Sequence, residues 1–98
     1  MYELSPEAAA DIADLVDYSI GQFGAVTARR TLVRLERKFT AIGAGRISGH
    51  VRPDISAAIP LRFENEPPYV IGFDPESRRI VRILHAARDL PRLLSKAP

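Results

Sequence analysis

The chain has 98 residues, 46% of them hydrophobic and 27% charged, a composition that suits one globular domain over residues 1–98. The absence of cysteine excludes disulfides and thiolate metal sites, and the two histidines, His50 and His85, show no metal-ligand spacing. Since no apolar run approaches a transmembrane helix and the N-terminus lacks a secretory pattern, we expect a cytoplasmic protein with no cofactor and no metal.

The net charge of +2 is distributed unevenly. Residues 1–24 carry five acidic and no basic side chains, whereas residues 25–53 carry seven basic side chains and one acidic one. Twelve of the fourteen basic residues are arginine, whose planar group makes bidentate contacts with carboxylates and phosphates. This favours a partner surface, and a codon bias toward arginine explains the same count equally well.

A short strand over residues 2–4 is predicted first, followed by a helix that begins at Ser5-Pro6. Serine suits the N-cap of a helix and proline its first position. Apolar residues then recur at helical spacing until Gly21 and Gly24 mark the end of the helix. The predicted apolar stripe consists of Ile12, Leu15, Val16, Ile20 and Phe23.

A second helix follows, with an apolar seam whose members are alternately three and four residues apart. These members are Ala25, Ala28, Leu32, Leu35, Phe39 and Ile42. The tight turn between the helices predicts an antiparallel hairpin, because neither apolar stripe can remain in water.

The second helix also carries basic side chains off its seam, namely Arg30, Arg34, Arg37 and Lys38. We expect them to form a solvated face that pairs with Asp11, Asp14 and Asp17 of the acidic first helix. The alternative is a contact with nucleic acid or with an acidic partner.

Three short strands are predicted over residues 61–64, 69–73 and 79–86, separated by turns at 65–68 and 74–77. Short connections make them an antiparallel meander. The predicted fold is therefore α+β, in the order β-α-α-β-β-β, with a short C-terminal helical turn capped by Asp89. The helical hairpin covers one face of the sheet, and the opposite face is solvated or kept for a partner.

Two segments carry a family resemblance. Leu4-Ser5-Pro6-Glu7-Ala8 followed by Asp11-Ile12 fits the pattern L-S-x-x-A-x-x-D-(L/I). Residues 80–89 fit the pattern I-x-R-(I/V)-L-H-x-x-R-D. With a tyrosine late in the first helix, these segments resemble the RelE/ParE superfamily of type II toxin–antitoxin toxins, and in particular its ParE-like branch. The resemblance covers nearly the whole chain.

The resemblance implies a toxin that arrests growth, often in plasmid stabilisation, and that is neutralised by an antitoxin whose C-terminal segment wraps around it. RelE-like members cleave mRNA on the ribosome, and ParE-like members are associated with inhibition of DNA gyrase. The ParE-like resemblance implies gyrase inhibition by protein binding and a hetero-oligomer with a ParD-like antitoxin. The alternatives are a ribosome-dependent mRNA endonuclease, or a non-toxic member that acts only in an operon-repressing complex.

Catalytic residues are not expected. Cleavage of RNA through its 2′-hydroxyl needs a general base, a general acid and cations. The resemblance places the nuclease tyrosine of RelE-like chains where Leu90-Pro91 stands here, and Tyr69 is followed by valine rather than by arginine. A metal-independent nuclease would have to use His85, Arg62 and Arg88. A strand histidine beside β-branched residues is more typical of a structural role.

The predicted binding surface combines a basic rim with an apolar C-terminal segment, since the apolar residues there exceed what a small core can hide. Its antitoxin- or target-binding residues are Arg52, Arg62, Arg82, Arg88, Leu90, Leu93 and Leu94. Ile55 and Ile59 add to the apolar excess. For Arg82 the alternative is a structural ion pair with Asp89 or Glu64.

Overall fold

The computed structural model describes residues 1–55 and 60–94, apart from the side chain of Leu94. Two helices come first, α1 (Pro6–Phe23) and α2 (Ala25–Gly43). Three strands, β1 (Arg62–Glu66), β2 (Tyr69–Phe73) and β3 (Ile80–His85), precede a short helix, α3 (Leu90–Leu94). The strands form an antiparallel sheet in the order β1-β2-β3. The predicted α+β fold is confirmed.

Ser5 starts α1 and also fastens it to the sheet. Its Oγ accepts a hydrogen bond from the backbone N–H of Ala8 at 3.0 Å, as an N-cap does. The same hydroxyl donates to the carbonyl oxygen of Val81 at 2.7 Å. Because the hydroxyl supplies a donor and an acceptor, one buried serine fixes both the first turn of α1 and its position beside β3.

The predicted N-terminal strand is reduced to one parallel bridge between Leu4 and Ile80. Ile80 donates its N–H to the carbonyl of Glu3 at 2.9 Å, and Ser5 donates to the carbonyl of Ile80 at 2.8 Å. The pairing ends there because Ser5-Pro6 turns the chain into α1. The N-terminal segment therefore lies beside β3 without becoming a strand of the sheet.

Gly24 makes the tight turn of the helical hairpin. Its φ of 89° and ψ of 166° lie in a region that is essentially restricted to glycine. Its N–H donates to the carbonyl of Ile20 at 2.9 Å, and its carbonyl accepts from Ala28 at 3.1 Å. One residue thus ends α1 and begins α2, which brings the helices together as an antiparallel pair.

The predicted apolar stripe is confirmed along most of α2 and fails at the end of α1. Ala28, Leu35, Phe39 and Ile42 are buried, whereas Ala25 is exposed. In α1, Leu15 is buried, but Ile20 and Phe23 are 46% and 64% exposed. At the C-terminal end of α1 these two side chains are therefore left largely in solvent. None of the helices in the described ranges combines the length and apolar character needed to cross a bilayer.

The main core lies between the hairpin and one face of the sheet. Its sheet side is formed by alternate residues of β2 and by Ile80 and Ile83 of β3, which are three residues apart because a bulge between them adds one residue to the strand. The buried members are Ala8, Leu15, Leu35, Phe39, Ile42, Tyr69, Ile71, Phe73, Ile80 and Ile83. The predicted packing of the hairpin on one face is therefore confirmed.

The opposite face of the sheet is not left open. Phe63, Val70, Leu84 and Leu90 form a second buried cluster there. Ile55, Leu61 and Leu93 are partly buried and pack against it. The expectation of a solvated or partner-reserved face is wrong for these residues, because α3 and the segment before β1 fold over them.

The glycines near the hairpin turn give a matched test of backbone strain. We expect Gly24→Ala to lower the free energy of unfolding by about 1–3 kcal/mol, because alanine is strained at that φ and ψ. Gly21→Ala, in the last turns of α1 where an added Cβ meets no atom within 4 Å, should raise it by about 0.5–1 kcal/mol. Urea denaturation followed by circular dichroism measures both. Equal effects of the two substitutions would contradict this assignment of the turn.

Candidate functional site

The Asp11 carboxylate joins α1 to the outer edge of β3. Its Oδ2 accepts hydrogen bonds from the backbone N–H of Ile83 at 2.9 Å and from Arg82 Nε at 2.8 Å. Its Oδ1 accepts from Arg82 Nη2 at 3.2 Å. The hydrogen bond to Asp11 raises the pKa of Arg82 further above its ordinary value. Arg82 therefore forms a structural ion pair, and the predicted partners Asp89 and Glu64 were wrong.

A polar and aromatic cluster lies where α1 crosses the end of β3. We call it the His85 cluster, and its members are Tyr18, Tyr69, His85, Arg88 and Asp89. The rings of Tyr18 and Tyr69 meet the His85 ring edge-on, with centroids 6.2 and 5.3 Å away. The Arg88 guanidinium lies over the Tyr18 ring, 4.3 Å from its centroid, as a cation–π contact.

The imidazole of His85 organises the turn that follows β3. Its Nδ1 accepts hydrogen bonds from the backbone N–H groups of Ala87 and Arg88, each at 3.1 Å. With Nδ1 used as an acceptor, the neutral ring carries its hydrogen on Nε2. The ring then has no free lone pair with which to take a proton from a substrate. This geometry is typical of a structural histidine rather than of a general base.

Asp89 closes the same turn from the other side. Its Oδ2 accepts from the backbone N–H of His85 at 2.8 Å, while its carbonyl accepts from Leu93 at 3.0 Å. Asp89 does directly precede α3, as predicted, but its carboxylate binds back to β3 instead of capping the new helix. Its distance to Arg88 Nη2 is 3.9 Å, so the ion pair between these neighbours is loose.

The Tyr69 phenol is held in its neutral form. Burial is the main cause that raises its pKa above 10.0, and the proximity of Arg88 opposes this rise. Tyr18 and Asp89 raise the pKa further. At neutral pH this hydroxyl is a hydrogen-bond donor and not a base.

The residues named for a nuclease do not assemble. On the sheet, Arg62 of β1 lies opposite Phe73 of β2 at one end. His85 of β3 lies opposite Tyr69 of β2 at the other end. Tyr69 and Phe73 are four positions apart on β2, which corresponds to about 13 Å along the strand. Arg62 is therefore remote from His85 and Arg88, and the expected basic rim of Arg62, Arg82 and Arg88 is divided among three places.

The other predicted binding residues are also dispersed. Arg52 makes a local ion pair with Asp54, 2.7 Å between Nη2 and Oδ2, which lowers the pKa of that carboxyl. Leu90 is only 8% exposed, so in this structure it packs inside the protein rather than forming surface. Leu93 packs against the second buried cluster, to which Leu90 belongs. Ile59 and the side chain of Leu94 lie outside the described part of the chain.

The expected pairing of the basic side chains of α2 with the aspartates of α1 is wrong. Lys38 Nζ lies 2.6 Å from Glu64, and Arg34 Nε lies 3.7 Å from Glu66. Both glutamates belong to β1, because the sheet, and not α1, lies beside this flank of α2. Three arginines of α2 have no ion pair within residues 1–55 and 60–94, namely Arg29, Arg30 and Arg37.

Sequence reasoning missed the apolar surface beside these arginines. Val26 is 68% exposed and Val33 is 40% exposed. Neither valine belongs to the predicted seam of α2. Apolar residues off the seam of a helix are the sequence signal that could have predicted this exposed apolar surface. In the described ranges, no three His, Asp or Glu side chains come together in a way that could hold a metal ion.

Comparison with known proteins identifies a family and a shared fold. A family model described as the ParE toxin of the type II toxin-antitoxin system, parDE, matches residues 2–90. A solved structure described as the chromosomal ParDE TA system from P. aeruginosa superposes with a TM-score of 0.65 at 22% sequence identity. It covers 87% of this chain and 96% of that chain, which shows a shared fold. No curated protein sequence matches the chain.

The Asp11 contact can be tested by a graded substitution series. We expect Asp11→Ala to lower the free energy of unfolding by about 1–3 kcal/mol, because the N–H of Ile83 loses its acceptor. Asp11→Asn keeps one acceptor oxygen and should cost less. Asp14→Ala, at an exposed site on the same helix, should change stability by no more than about 0.5 kcal/mol. Urea denaturation curves would refute the assignment if Asp11→Ala and Asp14→Ala gave the same value.

Proposed function

The chain belongs to the ParE toxin family, as the match over residues 2–90 shows, and it is a toxin of the type II toxin–antitoxin class. From this premise we propose that it inhibits DNA gyrase by binding, without catalysis, and that a ParD-like antitoxin neutralises it. The proposed target places its action in the cytoplasm. The family match is the observation that carries the proposal.

The geometry of the His85 cluster supports a mechanism without catalysis. Nδ1 of His85 is occupied by two backbone N–H groups, so the candidate base of a nuclease is engaged within the protein. The raised pKa of Tyr69 keeps the neighbouring phenol protonated. Arg62, which would stabilise the developing charge on a phosphate, lies at the opposite end of the sheet. A binding mechanism requires none of these groups to exchange protons.

Controlled expression of the chain tests the target. We expect growth arrest, induction of the SOS response and gyrase-dependent DNA breaks, with cellular mRNA intact. In a purified system, gyrase supercoiling should be inhibited in proportion to the toxin added. Co-expression of the adjacent gene, if it encodes the antitoxin, should restore growth, and the two products should purify together. Cleaved mRNA with undamaged DNA would contradict gyrase inhibition and favour the ribosome-dependent endonuclease.

Substitutions at His85 separate a structural role from a catalytic one. His85→Asn keeps an acceptor oxygen near the N–H groups of Ala87 and Arg88 but cannot act as a general base. We expect it to remain folded and as toxic as the unmodified chain at equal expression. His85→Ala removes the acceptor and should lower the free energy of unfolding by about 1–3 kcal/mol.

The measurements are growth inhibition at matched protein levels and thermal denaturation of each purified variant. A His85→Asn protein that folds with full stability yet shows no toxicity would establish a chemical role for the imidazole.

A further inference from the structure

The outer surface of α2 combines charge and apolar area in a way that the fold itself does not use. We call it the Arg/Val face, and its members are Val26, Arg29, Arg30, Val33, Arg34 and Arg37. These residues line one continuous surface that points away from the seam of α2. The face borders a groove of about 560 Å³ between the helices, to which α1 contributes Val16 and Ile20.

The arginines of this face lie close together and have few partners within the described part of the protein. Arg34 lies four residues after Arg30 and three before Arg37, so the like charges are neighbours on the helix surface and repel one another. Arg34 makes only the long contact with Glu66, and Arg29, Arg30 and Arg37 have no ion pair within the described residues. A surface that keeps like charges together without internal partners is suited to a ligand of the opposite sign.

The exposed apolar side chains of the face distinguish between two kinds of negatively charged ligand. Val26 and Val33 alternate with the arginines and are 68% and 40% exposed, and Ile20 on the facing helix is 46% exposed. A nucleic-acid backbone would leave this apolar area in water, because phosphates need only the cations. A helix with an apolar stripe and acidic flanks would bury the valines and meet the guanidinium groups at the same time.

The geometry of the Arg/Val face suits a helical ligand better than an extended strand. The backbone N–H groups of α2 are used within the helix, so an added strand would gain no main-chain hydrogen bonds there. The outer edge of β3 is also blocked to a strand, because Ser5, Asp11 and Asp89 bind its backbone groups at Val81, Ile83 and His85. Two antiparallel helices instead offer a groove into which the side-chain ridges of a third helix can pack.

We propose that the Arg/Val face binds an acidic amphipathic helix of the antitoxin, whose apolar stripe covers Val26 and Val33 and whose carboxylates pair with Arg30 and Arg37. This inference rests on the proposed function, since the antitoxin supplies the helix. It adds the binding face, the chemistry of the partner and the residues that select it.

The test is titration of the full chain with the purified product of the adjacent gene, by isothermal calorimetry at low and high salt. Arg30→Gln/Arg37→Gln should weaken binding about tenfold at low salt, and the effect should shrink as salt rises. Val26→Ser/Val33→Ser should weaken binding about tenfold at both salt concentrations. Arg79→Glu, which changes the net charge by the same amount as the double arginine variant, is the control and should bind like the unmodified chain.

Each contrary outcome has a distinct meaning. If the product of the adjacent gene binds the unmodified chain and both double variants equally, the binding face is wrong and the proposed neutralisation stands. If that product does not bind the unmodified chain, both proposals fail. A DNA duplex that binds the chain through Arg30 and Arg37 would make nucleic acid the occupant and overturn the inference. A dimer in solution that Val26→Ser/Val33→Ser dissociates would do the same by making a second copy the occupant.

Discussion

The carboxylate of Asp11 holds the helical hairpin against the edge of the sheet. It satisfies the backbone N–H of Ile83 and neutralises Arg82 on the same strand. Ser5 lies on the same side of the helix and binds the carbonyl of Val81. Because these contacts fix the position of α1 along β3, they also decide which face of α1 is buried. At the C-terminal end of α1, Phe23 remains exposed.

These contacts also decide which surfaces remain for a partner. The outer edge of β3 is occupied by side chains of the same protein, so it cannot accept a further strand without displacing them. The far face of the sheet is filled by the second cluster, in which Leu90 of α3 is buried. The outer surface of the helical hairpin is left with exposed valines and with arginines that have no ion pair among the described residues. Binding rather than catalysis is consistent with such a surface.

The His85 cluster shows how residue types that serve acid–base chemistry can act as structural groups. A histidine, two tyrosines, an arginine and an aspartate lie within contact of one another, as in many active sites. The polar side-chain atoms of His85 and Asp89, however, bind backbone N–H groups at the end of β3 and in the turn that follows it. His85 Nδ1 accepts from that turn, and Asp89 accepts from His85. The turn positions α3 over the second cluster, so the closing segment of the family pattern stabilises the fold.

The sequence by itself determined the two long helices, the three strands and their order, because helix caps, glycines and apolar spacing are local signals. It also identified the opening pattern with Ser5, Ala8 and Asp11, three residues apart on one face of a helix. It could not tell what that face touches, since the partners lie about seventy residues away in β3. Only the tertiary structure paired Arg82 with Asp11, separated Arg62 from His85 and buried Leu90. Such long-range pairings depend on how the sheet and the hairpin pack, and periodicity within one element does not encode them.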